Sequence, residues 1–174
     1  MRPYPAHLVR NVTLADGASL VIRPIAPSDA AIEQDFVRNL SAESRYFRFM
    51  DALRELSPQM LSHFTQVDYD DHMALVAVSM EPRETEVAVA RYIATPGTAG
   101  CEFAIVVADA WQRRGVATLL LGALMDAARA GGLKTMFGEV LASNHRMLAL
   151  VRRLGFRILR NPADSRLVRV ERDL

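Results

Sequence analysis

Length, composition and charge predict one folded domain and exclude two classes of function. The chain has 174 residues, of which 51% are hydrophobic and 24% are charged, as in ordinary globular proteins with a single core. The formal net charge is +1, which excludes a generally polybasic nucleic-acid-binding protein. No apolar run approaches the roughly 18 residues that a membrane-spanning helix needs. We therefore expect no nucleic-acid partner and no membrane association.

Cysteine usage and the first residues predict the compartment. The single cysteine, Cys101, cannot form an internal disulfide and favours a reducing environment, so we expect a cytoplasmic protein. The opening Met1–Pro5 lacks the apolar segment of a secretory signal. Its prolines predict an extended lead-in over residues 1–10, followed by a single domain over residues 11–174. The histidines lack the ligand spacing of a zinc site, so we expect no metal.

Turn and cap residues divide the first part of the chain. Asp16-Gly17 is a turn signal between two β-rich runs, Val12–Leu14 and Leu20–Ile22, which predicts a hairpin. Ser28-Asp29 is an N-cap for a helix that reaches about Leu40, and helical spacing predicts a second helix over Glu43–Met50. A third helix begins at Ser57–Pro58, with Pro58 at its first position.

The second part predicts an antiparallel meander followed by alternating helices and strands. Its three meander strands are Met73–Met80, Glu86–Ala94 and Cys101–Ala108. The later elements are a helix from Arg114 to Gly131, a strand Lys134–Leu141, a helix Asn144–Leu154, and strands Phe156–Leu159 and Arg166–Val170.

A phosphate site is predicted where the third meander strand turns into the long helix. The spacing there is Gln112-x-x-Gly115-x-Ala117. The first turn of a helix exposes unpaired backbone N–H groups and the positive end of the helix dipole, and Arg113 and Arg114 add charge. This spacing favours the diphosphate of coenzyme A over a nucleotide. In the alternative reading, Gly115 only begins a helix and the arginines are solvated.

A second motif makes the first one specific. Downstream of Gln112 the chain reads Asn144-x-x-Met147-x-x-Leu150-x-x-x-Leu154-Gly155-Phe156. With these two motifs in this order, the chain resembles the GNAT superfamily of acyl-CoA N-acyltransferases over Ser19–Leu174. The resemblance implies a mixed α/β (α+β) GNAT fold. In that fold a mostly antiparallel sheet of six to seven strands is flanked by about four helices and splayed in its middle for coenzyme A.

Further segments are similar to a narrower group, the acetyltransferase domain of the bacterial protein lysine acetyltransferases called Pat. These segments are Arg23–Ile25, Phe36–Ser41, Ser44–Phe49 and Asp68–Asp70. The resemblance implies acetyl-CoA as co-substrate, a protein lysine as acceptor and acyl-CoA synthetases as the target proteins. It also implies a fused or partner region that resembles such a synthetase.

The family resemblance assigns roles to residues around both motifs. The strand would pair with the pantetheine arm, the amides from Arg113 to Thr118 would hold the diphosphate, and Asn144 would contact the arm as well as cap its helix. The expected cofactor-binding residues are therefore Ile105, Val106, Val107, Ala108, Gln112, Arg113, Arg114, Gly115, Val116, Ala117, Thr118, Asn144 and Met147.

Amine transfer also needs a base. A lysine has a pKa of about 10.4, so its neutral form is disfavoured by about 4.6 kcal/mol at pH 7. Glu102 is the lone charge in the apolar run Cys101–Val107, where we expect it to be paired or partly desolvated. In the resembling enzymes a Glu at this strand position is the general base. Alternatively, Glu102 is a charge that protects an edge strand.

One position departs from the family pattern. Many GNAT enzymes carry a Tyr as general acid seven residues after the Asn, where this chain has Val151. The reaction can proceed without that acid because a thiolate is a tolerable leaving group. Two other functions stay open, namely acetylation of a small amine and a catalytically silent acyl-CoA-binding regulatory domain. We expect Tyr46, Phe47 and Phe49 in the core, and Arg48 on the solvated side of their helix.

Overall fold

The computed structural model describes residues 2–174, which are built around one mixed β-sheet. The strands are β1 (Arg10–Thr13), β2 (Ser19–Pro24), β3 (His72–Ser79), β4 (Thr85–Ala94), β5 (Gly100–Val107), β6 (Thr135–Leu141), β7 (Arg157–Arg160) and β8 (Leu167–Asp173). The α-helices are α1 (Ala30–Asn39), α2 (Ala42–Phe49), α3 (Pro58–Thr65), α4 (Val116–Ala130) and α5 (His145–Arg153). In the sheet the strands lie in the order β1-β2-β3-β4-β5-β6-β8-β7.

The predicted fold class is confirmed, and its counts are slightly low. The sheet is antiparallel except for the β5–β6 pair. Within the described residues it has eight strands rather than six to seven, with five α-helices rather than about four. Only the counts implied by the family resemblance are low, because the runs predicted from the residues include all eight of these strands and all five helices. Among them are the short edge strands β1 and β7, which each pair with a single neighbour through four residue pairs.

The segment before the hairpin packs against the domain. Of the predicted lead-in over residues 1–10, residue 1 lies outside the described part of the chain. The Tyr4 ring packs edge-on against the Tyr69 ring, with centroids 5.8 Å apart. Arg10 already belongs to β1, where it pairs with Ile22.

The predicted splay lies between β5 and β6. β5 pairs with β4 along its length, but it pairs with β6 only from Gly100 to Glu102. Gly138 lies just beyond this pairing, and a Cβ there would come within 3.1 Å of the Phe103 carbonyl oxygen. The two strands therefore diverge after Glu102 and leave the backbone edge of β5 open toward β6.

Helices cover both faces of the sheet beside this opening. α4 packs on β3, β4 and β5 and buries Leu120, Leu121 and Leu124 completely. α1 packs on β4 and α2 on β5. Among the helices of residues 2–174, none is both long enough and apolar enough to cross a membrane.

Candidate active site

A cleft of about 200 Å³, hereafter the main cleft, lies between α2 and α5, with β5 as its floor and the start of α4 at one end. The predicted cofactor-binding residues that line it are Ile105, Val106, Val107, Gln112, Arg113, Gly115, Ala117, Thr118, Asn144 and Met147. Three predicted residues, Ala108, Arg114 and Val116, are not part of its lining. Residues that the sequence did not assign to the cofactor also line it, namely Glu43, Ser44, Phe47, Arg48, Trp111, Arg146, Leu150 and Arg153.

The start of α4 presents free backbone amides to the main cleft. The first helical hydrogen bond runs from the Leu119 amide to the Gly115 carbonyl at 3.1 Å. Within the described residues, the amides from Arg113 to Thr118 donate to no backbone or side-chain acceptor. Arg113 and Gly115 both have positive φ angles, of 60° and 88°, which turn the chain so that these amides converge. Such a cluster of donors at a helix N-terminus binds an anion such as a diphosphate.

The two neighbouring arginines have different roles. The Arg113 side chain lines the main cleft. The Arg114 Nε donates to the Asp16 carboxylate at 2.6 Å, and its guanidinium lies 4.1 Å from the centre of the Trp111 ring. Arg114 therefore joins the β1–β2 turn to the phosphate loop instead of adding charge to the cleft.

The motif glutamine joins three walls of the main cleft. The Gln112 Nε2 donates to the Ser44 hydroxyl in α2 and to the Val107 carbonyl in β5, both at 3.2 Å. Its Oε1 accepts from Arg146 in α5 at 3.0 Å. The side chain of Gln112 is thus engaged by protein groups on both its nitrogen and its oxygen.

An aspartate fixes the start of α2 beside the same loop. Asp109 accepts from the Ser41 amide at 2.9 Å and from the Ser41 and Ser44 hydroxyls at 2.7 Å each. Desolvation raises the pKa of Asp109, but these hydrogen bonds outweigh it and leave the pKa below its usual value. The ionised carboxylate therefore holds α2 over the main cleft.

The second motif begins α5 on the other wall. The Asn144 side chain accepts from the Met147 amide at 3.1 Å, which makes it the N-cap of α5. The same residue lines the main cleft, so it is placed for the second role that the family resemblance implies. Val151 is fully buried, so the position of the family tyrosine lies in the core here.

Glu102 lies where β5 and β6 separate, next to Ile93 on β4 and Phe137 on β6. The expectation that it is desolvated is wrong, because its side chain is exposed. β5 is central in the sheet, which also removes the edge-strand reading. Its paired neighbour on β4, Ile93, is exposed too, so this part of the sheet face is not covered by a helix.

Arg48 is a cleft residue that the sequence placed on the solvated side of α2. It is half-buried and lies over the Phe49 ring, with 4.9 Å between its guanidinium and the ring centroid. Burial, followed by the nearby Arg91 charge, lowers the pKa of Arg48 to about 10, while Glu33 and Glu102 raise it. The periodicity of α2 could have identified this side chain, because Arg48 follows the cleft residue Ser44 by four positions. Tyr46, predicted in the core, is exposed instead.

A buried charged cluster lies near Arg48 on the same side of the sheet. Arg91 on β4 pairs with Glu33 on α1 at 3.2 Å, and both are almost fully buried. Its Nη1 lies 3.4 Å from the His72 ring nitrogen. Desolvation, followed by the Glu33 charge, raises the pKa of the buried Glu86 well above its usual value. No motif in the sequence marks this cluster, because its members come from three elements, α1, β3 and β4.

The comparisons with known proteins identify the family. Residues 19–157 match the model of the acetyltransferase (GNAT) domain. The chain therefore belongs to the GNAT acetyltransferase family and is an acyltransferase. Among residues 2–174, no group of three or more His, Cys, Asp or Glu side chains is arranged to hold a metal ion.

Named relatives agree with this assignment. The chain is 37% identical over 154 residues to acetyltransferase PA5475 of Pseudomonas aeruginosa, which covers 88% of this chain and 83% of that protein. It is 30% identical over 147 residues to acetyltransferase Pat of Mycolicibacterium smegmatis, covering 83% of this chain and 43% of Pat. The chain thus spans less than half the length of that Pat.

Solved structures show the same relationship. The GNAT domain of S. lividans PAT matches with a TM-score of 0.90 and 34% identity, covering 99% of this chain and 100% of that domain. The predicted similarity to the Pat-type domain is thereby confirmed. A Salmonella typhimurium structure, yncA with its cofactor acetyl-CoA, matches with a TM-score of 0.71 over 89% of this chain and 94% of that one. Its 18% identity shows a shared fold alone.

Proposed function

We propose that the protein is an acetyl-CoA-dependent N-acetyltransferase that modifies a lysine side chain of a protein. The observation that carries this proposal is the row of free amides at the start of α4, which meets the open edge of β5 in one cleft. A diphosphate at these amides and an extended pantetheine arm along β5 would bring the thioester toward the splay. Glu102 lies at that end of β5.

The chemistry then uses one carboxylate and one thioester. Glu102 takes a proton from the lysine ammonium, directly or through water, and the neutral amine attacks the thioester carbonyl. A C–N bond forms, the C–S bond breaks, and coenzyme A leaves as its thiolate, which takes up the proton that the attacking nitrogen releases as it becomes an amide. The thiolate needs no tyrosine from the protein, which fits the buried Val151. The exposure of Glu102 keeps it open to an incoming acceptor.

The acceptor class and setting are further parts of the proposal. Similarity to the Pat-type domain supports acyl-CoA synthetases as targets, and a fused or partner region as a regulator. The free, buried thiol of Cys101 is compatible with the reducing cytoplasm in which we place the protein.

Incubation with acetyl-CoA and a purified acyl-CoA synthetase tests the proposal. We expect acetyl-lysine on the synthetase by mass spectrometry, and inhibition of its activity as the modification accumulates. A parallel panel of amino acids, polyamines and aminoglycosides tests the small-amine alternative. Faster transfer to a free amine than to the synthetase would replace the protein acceptor. Tight acetyl-CoA binding with no transfer to any amine would favour the alternative function of a catalytically silent, acyl-CoA-binding regulatory domain.

A further inference from the structure

A second, smaller cavity opens from the main cleft where β5 and β6 diverge. This recess has a volume of about 50 Å³ and shares the walls Phe47, Arg48, Ile105, Asn144 and Met147 with the main cleft. Its other lining residues are Met50, Phe103, Ala104, Glu139 and Val140. Glu139 is the one carboxylate in this set, and the remaining walls are mostly apolar.

The pleat of β6 directs Glu139 to the exposed face. Gly138 and Val140 on either side of it are buried, whereas Glu139 is exposed. Phe137 lies two residues earlier and shares its face, because successive side chains alternate along a strand. Phe137 pairs with Glu102 across the last β5–β6 contact. Glu139 therefore lies one pleat, or about 7 Å along the strand, beyond the position beside the proposed base.

Two cations lie near Glu139, and neither forms an ion pair with it within 4.0 Å. Arg169 lies opposite Glu139 on β8, but its guanidinium bonds to Glu171 at 3.0 and 3.1 Å and stacks over the Phe137 ring at 3.8 Å. Arg48 lies over Phe49. Within residues 2–174, the Glu139 carboxylate makes no side-chain hydrogen bond and no ion pair within 4.0 Å.

We propose that Glu139 binds the protonated amine of the acceptor before Glu102 removes the proton. The apolar walls of the recess on this face, including Met50 and Ala104, suit the methylene stem of a lysine, and the carboxylate suits its ammonium. The two carboxylates have different roles, because Glu139 binds the ammonium group and Glu102 acts as the base. This inference rests on the proposed function and names the group that selects a cationic acceptor.

The test is steady-state kinetics of Glu139→Gln with a lysine peptide taken from an acetylated target. We expect KM for the peptide to rise about tenfold, with kcat within about twofold of the unmodified protein and KM for acetyl-CoA unchanged. Glu139→Asp keeps the charge and should recover part of the loss. Glu81→Gln, an exposed carboxylate in the β3–β4 turn, is the matched control and should change neither constant. Thermal unfolding confirms that each variant is folded.

Several outcomes would overturn the inference. An unchanged peptide KM in Glu139→Gln removes Glu139 from acceptor binding, and a loss confined to kcat assigns it to proton transfer instead. Failure of Glu139→Asp to recover any binding would indicate a role in packing. If the unmodified protein acetylates small cationic amines but no protein lysine, the proposed function fails and Glu139 is tested with those amines. If it acetylates no cationic amine, both proposals fail.

Discussion

The Ser44 hydroxyl donates to the Asp109 carboxylate at 2.7 Å, joining α2 to the loop that leads into α4. Asp109 and its partners Ser41 and Ser44 are hereafter called the clasp. Ser44 also accepts from Gln112, so the same hydroxyl connects the clasp to the motif that defines the phosphate site. One wall of the main cleft is therefore held in position by the loop expected to bind the cofactor. We therefore expect cofactor binding at this loop to depend on the position of α2.

Asp109→Asn tests this coupling. The side-chain amide of this variant lacks the negative charge that now accepts three hydrogen bonds. We therefore expect KM for acetyl-CoA to rise several-fold and the free energy of unfolding to fall by about 1 kcal/mol. Steady-state kinetics and urea unfolding measure the two effects. Asp35→Asn, an exposed acid on α1 that lies 3.9 Å from Arg38, is the control. Equal behaviour of the two variants would rule out a positioning role for the clasp.

Gly115→Ala tests the phosphate loop. The φ of 88° at Gly115 disfavours any side chain by about 1–2 kcal/mol, and a Cβ there would enter space that no atom of the described residues occupies within 4 Å. We expect acetyl-CoA binding to weaken about tenfold, because the methyl would stand where the diphosphate approaches the amides.

Gly122→Ala provides the comparison within the same helix. A Cβ at Gly122 would also meet nothing within 4 Å, but the backbone there is ordinary helix. This variant should stabilise the fold by about 0.5–1 kcal/mol and leave binding unchanged. Titration of both variants with acetyl-CoA in a calorimeter distinguishes an effect at the phosphate loop from the general effect of adding a methyl group to α4. Normal binding by Gly115→Ala would place the diphosphate elsewhere.

Glu102→Gln tests the base. We expect kcat to fall about 10²- to 10⁴-fold at neutral pH, while acetyl-CoA binds as before, because the amide cannot accept the proton. Stopped-flow or coupled thiol-release assays measure the rate, and calorimetry measures the binding. Undiminished turnover would show that water or another group deprotonates the amine.

His72 should make stability depend on pH. Burial, followed by the charges of Arg91 and His63, lowers the pKa of His72 to about 4. In the unfolded chain the pKa is about 6.5, so the unfolded state binds the extra proton between those values. The contribution to stability is therefore fully present above pH 6.5 and is lost as the pH falls to 4, by about 3 kcal/mol at most.

Chemical unfolding of the natural protein and His72→Gln from pH 4 to 7.5 checks this dependence. The difference between their unfolding free energies should grow with pH up to about 6.5 and then level off. The difference is the useful quantity because Glu86 acts in the opposite direction. Its raised pKa makes the folded state less stable as the pH rises above the ordinary carboxyl range. A difference that stays constant with pH would show that His72 titrates normally in the fold.

Local signals in the sequence predicted the secondary-structure elements, but they did not predict which distant residues pair. The turn Asp16-Gly17, the cap Ser57-Pro58 and the helix-starting Gly115 each act through their own backbone, so the hairpin, α3 and α4 fall close to their predicted bounds. The ion pair between Arg114 and Asp16 joins residues 98 positions apart, and no local pattern indicates it. The fold class follows from the motifs, whereas the cleft walls depend on which elements meet.

The residues where β5 and β6 separate also show that sequence patterns do not reveal how distant elements pack. Glu102 stood out as the one charge in an apolar strand, which predicted its importance but gave the wrong environment. Its exposure depends on what the helices leave uncovered on this face of the sheet, where Ile93 of β4 is exposed as well. Glu139 lies in no motif, and Arg48 lies in a segment similar to the Pat-type domain to which no role at the cofactor was assigned. The packing of β6 and α2 around β5 brings both residues to the recess.

The decisive experiment for the cofactor site is a crystal structure of the protein with acetyl-CoA, supported by calorimetry. We expect the diphosphate within hydrogen-bonding distance of amides between Arg113 and Thr118, and the pantetheine arm along the open edge of β5. Acetyl-pantetheine, which lacks the diphosphate, should bind far more weakly than acetyl-CoA if the site is at the start of α4. No heat from millimolar acetyl-CoA, or a diphosphate bound away from the start of α4, would contradict this assignment of the site.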